Sequence, residues 1–326
     1  MSDEIKPRPN YLEDPQLSTG TKEYLKVLNA SDTPVESLPV SDARNVLFNA
    51  QKSIKVDLSG IEESEKNITA DGYDLKLTIV RPEGVKDKLP VFIFVHGGGW
   101  VLGDYPTHQR LVRDLVVESG FACAFVNYTL SPEAKFPQAP NEVYAATKWV
   151  AENGDQINVD GKRLAVVGNS AGGNMTLTTS MKAKENNGPE IKCQVLMWPF
   201  MDASTDFDSY KLFGKERFLT TSLMEWMVQN YISCPSDIKS IYLSPLRASI
   251  DELKGLPPTL IEVAENDILR DGGEQMARKL DEAGVYTLPV RFNGITHDWE
   301  MLNGFAELPQ TKGLVMLAAS FMKKFL

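Results

Sequence analysis

Hydrophobic and polar positions along the chain predict strands that alternate with helices. Residues 90–95 and 163–168 are continuous apolar runs rich in β-branched side chains, which is typical of strands buried on both faces. Segments with helical spacing follow them at 106–120 and 170–184. Strands separated by helices of about 10–15 residues predict βαβ units and a mostly parallel central sheet flanked by helices.

The same alternation continues through most of the chain. Further strands are predicted at 53–58, 74–81, 121–127, 191–198, 256–263 and 285–292. Further helices are predicted at 20–28, 42–51, 140–153, 272–283 and 312–325. The pattern is interrupted between Pro199 and Leu256, where we expect a packed and largely helical insertion.

The order of the elements predicts where a functional site should lie. In an open α/β sheet, ligands bind beyond the carboxyl ends of the strands. We therefore expect the functional residues in the loops after Val95, Gly168, Val263 and Phe292.

Charge and composition exclude several classes of protein. The chain has 326 residues and a formal net charge of −10, whereas a nucleic-acid-binding protein needs a cationic face. We find no apolar stretch near the roughly 18 residues of a spanning helix. Residues 1–6 are polar and lack the apolar core of a signal peptide. We therefore expect a cytoplasmic protein with no membrane span and no nucleic-acid partner.

Sequence patterns for cofactors and metals are absent. Cys123, Cys193 and Cys234 are widely spaced and form no C-x-x-C pair, so neither a zinc site nor a disulfide framework is indicated. The chain has no P-loop pattern, no early G-x-G-x-x-G and no H-E-x-x-H. The sequence therefore predicts no cofactor and no metal.

The strongest chemical signal follows the buried strand at 163–168. Residues 168–173 read G-N-S-A-G-G, which matches G-x-S-x-G in a strand–turn–helix context. Glycines on both sides allow a sharp turn that exposes the hydroxyl of Ser170. The start of the next helix favours negative charge developing beside it. A tight turn with a capping serine would use the same residues, so the motif alone does not decide the function.

A second glycine motif follows the strand at 90–95. Residues 96–100 read H-G-G-G-W, and successive glycines allow backbone N–H groups to converge on one point. An oxyanion hole for a serine nucleophile can be built in this way. We expect the donors to be the N–H groups of Gly98, Gly99 and Ala171.

The chain contains only three histidines, and each has a different expected role. His297 is the only one after Ser170, and it follows the last predicted strand, which suits the base of a nucleophilic serine. His96 is expected to brace the glycine loop through its ring nitrogens. His108 is expected to be a surface or packing residue.

Four carboxylates compete for the role of orienting the base. These are Glu265, Asp267, Asp271 and Asp298. Asp298 adjoins His297 and cannot easily reach the outer ring nitrogen, whereas Asp271 is more simply a helix cap. Asp267 lies just beyond a strand end and is the preferred candidate, with Glu265 and Asp271 as alternatives.

With these motifs the chain resembles the hormone-sensitive-lipase family of α/β-hydrolase esterases. The resemblance runs from about Asp74 to the C-terminus and includes four motifs in the family's order. They are H-G-G-G-W at 96–100, Y-T-L-S-P-E-A-K-F-P at 128–137, G-N-S-A-G-G at 168–173 and D-I-L-R-D at 267–271.

The resemblance implies an α/β-hydrolase fold and a catalytic triad of Ser170, Asp267 and His297. It implies a helical cap made of residues 1–50 and 199–255 on a catalytic domain of 51–198 and 256–326. The implied substrate is a small-molecule acyl ester of short to medium chain length, and the implied assembly is a homodimer. We also expect Trp100 and Trp299 to contact the substrate.

Several positions depart from the family pattern. Asn169 replaces an acidic residue, Thr129 and Ser131 replace Arg and Ala, and Asp298-Trp299 stands where Gly-Phe is usual. Glu133 matches the pattern and is interpreted as structural.

The hypothesis is therefore a serine carboxylesterase, and three other functions remain open. An acyltransferase or an amide hydrolase (a deacetylase, for example) would use the same triad. A non-catalytic ligand-binding protein of the same fold is the third alternative.

Overall fold

A computed structural model describes residues 5–31 and 33–326 of the chain. In this part of the chain, eight strands form a single sheet. The strands are Ile61–Ala70 (β1), Tyr73–Pro82 (β2), Leu89–Val95 (β3), Ala122–Asn127 (β4), Val159–Asn169 (β5), Cys193–Met197 (β6), Thr259–Asn266 (β7) and Thr287–Thr296 (β8). None of the helices in the described ranges is both long and apolar enough to cross a bilayer.

The α-helices interleave with these strands, as the alternating sequence pattern predicts. They are Thr19–Leu28 (α1), Val40–Lys52 (α2), Tyr105–Ser119 (α3), Gln138–Asn153 (α4), Ala171–Glu185 (α5), Asp208–Phe213 (α6), Thr221–Tyr231 (α7), Ile250–Leu253 (α8), Arg270–Glu282 (α9) and Pro309–Phe325 (α10). Helix α3 packs against α10, and α4 packs against α5.

The strand order in the sheet is β1-β2-β4-β3-β5-β6-β7-β8. From β4 to β8 in that order, each strand is parallel to the next, whereas β2 is antiparallel to both β1 and β4. The central strands are buried on both faces, because helices cover both sides of a parallel sheet. The prediction of a mostly parallel α/β fold is confirmed.

One predicted strand is wrong. Residues 53–58 form no strand, and the first strand begins at Ile61 instead. Strand β1 lies at the edge of the sheet and pairs only with β2, so most of its side chains are exposed and Ile68 alone is buried. An edge strand with one buried side chain gives little hydrophobic alternation to detect.

The carboxyl ends of four strands meet at one edge of the sheet. Strand β3 leads into the glycines at 97–99, and β3 is the direct neighbour of β5. Strands β5, β7 and β8 are each followed immediately by one candidate catalytic residue. In chain order these residues are Ser170, Asp267 and His297.

Two segments that are far apart in sequence contact each other beside this edge. Arg217 of the insertion is buried and donates to Asp14 of the N-terminal segment, with Nη2 2.6 Å from Oδ2. Arg44 on α2 forms a two-fold hydrogen bond with Glu133, at 2.8 and 2.7 Å. Arg44 Nε also donates to the carbonyl oxygen of Val101, 2.8 Å away. The N-terminal segment is thus attached both to the insertion and to the loops near the glycine motif.

Candidate active site

Ser170 lies in a sharp turn between β5 and α5. Its backbone has φ +55° and ψ −118°, a conformation that L-residues rarely adopt. A Cβ on Gly168 would lie 2.5 Å from the carbonyl oxygen of Gly172, and a Cβ on Gly172 would overlap the carbonyl oxygen of Val95. The close approach of three backbone segments therefore requires glycine on both sides of the turn. This packing holds Ser170 at the carboxyl end of the sheet.

The structure brings Ser170, His297 and Asp267 together. His297 Nε2 is 3.0 Å from Ser170 Oγ, and His297 Nδ1 is 2.7 Å from Asp267 Oδ2. All three residues are buried. Asp267 Oδ1 also accepts a hydrogen bond from the N–H of Leu269 at 2.9 Å, which fixes the carboxylate. With its Nδ1 proton donated to Asp267, His297 can accept the hydroxyl proton of Ser170 at Nε2.

The two alternative carboxylates have other partners. Glu265 accepts the N–H of Gly294 at 2.9 Å, and Asp271 accepts the N–H of Ser209 at 2.8 Å. The interpretation of Asp271 as a helix cap is wrong, because α9 begins at Arg270 and Asp271 lies in its first turn. The geometry therefore selects Asp267 as the partner of the histidine.

The surroundings of His297 favour its protonated form. Burial alone would lower the pKa of His297, because it penalises the imidazolium. The charges of Asp267 and Asp298, with the hydrogen bond to Asp267, outweigh burial and raise the pKa above its ordinary value. This arrangement therefore stabilises an imidazolium at His297.

The glycine motif after β3 has free backbone donors. Gly98 and Gly99 have φ values of +99° and +60°, which side-chain-bearing residues rarely adopt. Within the described ranges, neither N–H donates to a protein acceptor. The loop is held to the turn at Ser170 by Asn169, whose Oδ1 accepts the N–H of Gly97 at 2.9 Å. These donors are available for an oxyanion beside Ser170.

The other two histidines are packed behind the glycine loop. His96 Nδ1 is 2.8 Å from the carbonyl oxygen of Gly97, and the ring stacks on Tyr128 with the centroids 4.2 Å apart. Burial lowers the pKa of His96 to about 4, so the ring is neutral near pH 7. His108 is fully buried on α3, so it is a packing residue and not a surface residue. Its Nδ1 is 3.0 Å from the hydroxyl of Thr107.

The structure does not place Trp100 and Trp299, the predicted substrate contacts, at the cavity beside Ser170. Both side chains are fully buried, and neither lines the cavity beside Ser170. Trp100 stacks on Tyr231 with ring centroids 4.1 Å apart, whereas Trp299 packs on Trp198. These rings are covered because the insertion and the segment after β6 supply aromatic partners that lie far away in sequence.

A narrow cavity of about 80 Å³ lies beside Ser170 and His297. Its walls include Gly98 and Gly99, but most of the other lining side chains are apolar. They come from the first 50 residues and from the insertion, and they include Val35, Leu47, Ala50, Phe218, Leu223 and Met227.

Two residues at this site have roles that the sequence analysis did not assign. Met227 on α7 lies against the backbone of Gly99, where an added Cβ would overlap its side chain. Asp298 lines the cavity and accepts a hydrogen bond from Trp198 Nε1 at 2.7 Å. Asp298 departs from the family pattern, and this departure could have marked it as a residue of the site. The position of Met227 depends on how the insertion folds, so no sequence pattern indicated it.

Residues 5–31 and 33–326 contain no group of three or more His, Cys, Asp or Glu side chains that could hold a metal ion.

Comparison with known proteins identifies the family. The family described as alpha/beta hydrolase fold matches residues 92–301, which is more than half of the chain. The chain belongs to this family, which includes the hormone-sensitive-lipase-like esterases, so the predicted resemblance is confirmed.

Several similar proteins are named as ester hydrolases. The crystal structure of a thermostable esterase from Pseudomonas putida is 51% identical, with a TM-score of 0.95, over 96% of this chain and 98% of that chain. Carboxylesterase NlhH of Mycobacterium tuberculosis is 30% identical over 83% of this chain and 85% of its own length. Ethyl acetate hydrolase of Pseudomonas putida is 29% identical over 92% of this chain and 96% of its own. The protein is a carboxylic ester hydrolase, as the sequence predicts.

Proposed function

We propose that Ser170 is the nucleophile of this esterase, with His297 as its base and Asp267 as the orienting carboxylate. The observation that carries the proposal is the pair of hydrogen bonds that joins the three side chains, at 3.0 and 2.7 Å. His297 takes the hydroxyl proton as Ser170 Oγ attacks the ester carbonyl carbon. The imidazolium then donates that proton to the leaving alcohol, and an acyl-enzyme remains.

Water completes the cycle at the same residues. His297 removes a proton from water, which attacks the acyl carbonyl and releases the carboxylic acid and the free Ser170 hydroxyl. In both steps the negative oxygen faces the N–H groups of Gly98, Gly99 and Ala171. The left-handed backbone of the two glycines and their unpaired N–H groups support this assignment.

The substrate is a small ester with a short acyl group. The cavity beside Ser170 is only about 80 Å³, and its walls are mostly apolar, which favours a short hydrocarbon group over a long or charged one. The name of the relative from Pseudomonas putida, ethyl acetate hydrolase, supports the same size class.

Residues 1–50 and 199–255 act as a cap over the catalytic domain. Leu47 and Ala50 from the first segment, and Phe218 and Met227 from the second, line the cavity beside Ser170. The hydrogen bonds between the two segments support their acting as one unit.

The proposal is tested by replacing Ser170 with alanine. We expect Ser170→Ala to lower kcat for a short ester by about 10⁴-fold or more and to abolish labelling by a fluorophosphonate. Ser180→Ala is a matched control, because Ser180 lies in α5, the helix that follows Ser170, and its hydroxyl donates to Gln194 away from the cavity. A folded Ser170→Ala protein with near-normal turnover would overturn the assignment.

A further inference from the structure

Asp298 is a buried carboxylate that sits beside the histidine without belonging to the triad. It follows His297 directly, and only 5% of its surface is exposed. Its backbone has φ +58°, in the left-handed region, which turns the side chain back toward the ring. The carboxylate lines the cavity together with Ser170 and His297.

Two neutral donors hold this carboxylate. Asp298 Oδ1 accepts Trp198 Nε1 at 2.7 Å and Asn169 Nδ2 at 3.3 Å. Trp198 follows β6 and Asn169 ends β5, so both donors belong to the sheet edge that carries Ser170. Because neither donor carries a charge, they fix the position of the carboxylate and leave its negative charge uncompensated.

That charge faces the working nitrogen of the histidine. Asp298 Oδ1 lies 3.8 Å from His297 Nε2, the same nitrogen that lies 3.0 Å from Ser170 Oγ. Asp267 binds the opposite nitrogen at 2.7 Å. The imidazole therefore has a carboxylate beside each of its two nitrogens, and one of them is outside the triad.

We propose that Asp298 is a positioning residue for ester hydrolysis, whose carboxylate holds His297 in its protonated form to higher pH than the triad alone would. The inference rests on the proposed role of His297 as the base. An ionised carboxylate within about 4–6 Å favours the imidazolium over the neutral ring. Activity requires the neutral ring, so the charge of Asp298 moves the onset of activity toward higher pH.

The other titratable groups around the ring do not supply this effect. Tyr210 faces Asp267, and burial raises its pKa, so it stays neutral. His108 lies 3.4 Å from Asn169 Nδ2, and burial lowers its pKa well below the ordinary value. The pKa of Asp298 lies above its ordinary value, because burial, together with the charge of Asp267, outweighs the charge of His297 and the hydrogen bonds from Trp198 and Asn169.

The test is the pH profile of Asp298→Asn. Asparagine tolerates the left-handed backbone and keeps an oxygen for Trp198 and Asn169, so only the charge is removed. The profile of kcat/KM for an uncharged short ester is measured between about pH 4.5 and 8.5. We expect the midpoint of the acid limb to fall by about one pH unit relative to the parent protein. The rate of labelling by a fluorophosphonate should shift in the same way.

Two further variants guard against a merely structural explanation. Glu265→Gln removes a carboxylate that binds the Gly294 N–H instead of the ring, so its acid limb should stay in place. Asp298→Gly also removes the charge, suits the left-handed backbone, and should lower the midpoint like Asp298→Asn.

The outcomes separate this inference from the proposed function. An unchanged acid limb in folded Asp298→Asn and Asp298→Gly, with Ser170→Ala inactive, would overturn the role of Asp298 alone. An equal shift in Glu265→Gln would also overturn it, since any lost carboxylate would then suffice. Full activity in Ser170→Ala would instead remove the proposed function itself.

Discussion

Asp267 differs from its neighbouring carboxylates by one contact, the 2.7 Å hydrogen bond to His297 Nδ1. Glu265 lies two residues earlier and Asp271 four residues later, and both bind backbone N–H groups instead. Sequence spacing could rank these acids but not separate them, because a shift of one residue at a strand end redirects the side chain. The contact between Asp267 and His297 depends on the register of β7 against β8, which the spacing of residues in the sequence does not give.

Replacement of Asp267 by asparagine should slow catalysis without unfolding the protein. An amide no longer favours the tautomer with the proton on Nδ1 and does not stabilise the imidazolium, so kcat should fall about 10³- to 10⁴-fold. Asp271→Asn is the control, and it should keep kcat near the parent value because Asp271 binds Ser209. Steady-state kinetics and thermal melts of both variants check this. The reverse ranking of the two kcat values would contradict the choice of acid.

At the level of elements, the sequence predicted the turns more fully than the packing. The turn at Ser170 could be predicted because its glycines are required by close backbone contacts, and that requirement is local. Strand β1 was missed because an edge strand buries little. The burial of Trp100 was not evident from the sequence, because its partner Tyr231 lies on α7, more than a hundred residues away in sequence. Local sterics leave a sequence signature, whereas contacts between distant elements do not.

Helix α7 should limit the length of the acyl group through Met227. Its side chain packs against Gly99 and lines the narrow cavity, so Met227→Ala should enlarge the space beside Ser170. We expect the ratio of kcat/KM for octanoyl over acetyl esters to rise about tenfold. A chain-length series of p-nitrophenyl esters measures this ratio, and the parent protein should favour the shorter esters.

Met224→Ala is the matched control for this prediction. Met224 is buried on the same helix but does not line the cavity. Its truncation should cost about 2–5 kcal/mol of unfolding free energy and leave the chain-length ratio unchanged. A similar rise in the ratio for both variants would attribute the effect to loosening of α7 in general.

At the scale of the whole molecule, a buried ion pair joins the N-terminal segment to the insertion. Asp14 is fully buried and accepts Arg217 at 2.6 Å, with Arg8 on its other oxygen at 2.5 Å. Burial would raise the pKa of Asp14, but hydrogen bonds from Arg8, the Gln16 N–H and Arg217 outweigh it and lower the pKa to about 2. Only the family resemblance implied that the two segments contact each other. The composition of a segment does not show which other segment it packs against.

Asp14→Asn should destabilise the protein in a pH-dependent way. It leaves Arg217 buried without its counter-charge, so unfolding free energy should fall by about 3–5 kcal/mol at neutral pH. The depressed pKa means that Asp14 stabilises the fold above its unfolded pKa of about 3.9, and that this is lost as pH falls through about 2. The difference between parent and variant should therefore shrink over that interval in denaturant titrations.

The exposed pair of Glu23 and Lys26 provides the comparison. Glu23→Gln removes the same kind of charge from the N-terminal segment and should change unfolding free energy by about 1 kcal/mol or less. An equal loss of unfolding free energy in Glu23→Gln and Asp14→Asn would show that stability depends on the overall charge and not on the buried contact.

The backbone of Ser170, with φ +55°, has a consequence for how this protein could adapt to heat. A residue held in a rarely populated conformation costs of order 1–3 kcal/mol, which the surrounding structure must supply. A relaxed turn would therefore raise the free energy of unfolding, but it would move the Ser170 hydroxyl away from His297. Thermal stability and catalytic activity therefore place opposite demands on the backbone of Ser170. Selection for higher thermal stability must act at other positions and keep this conformation.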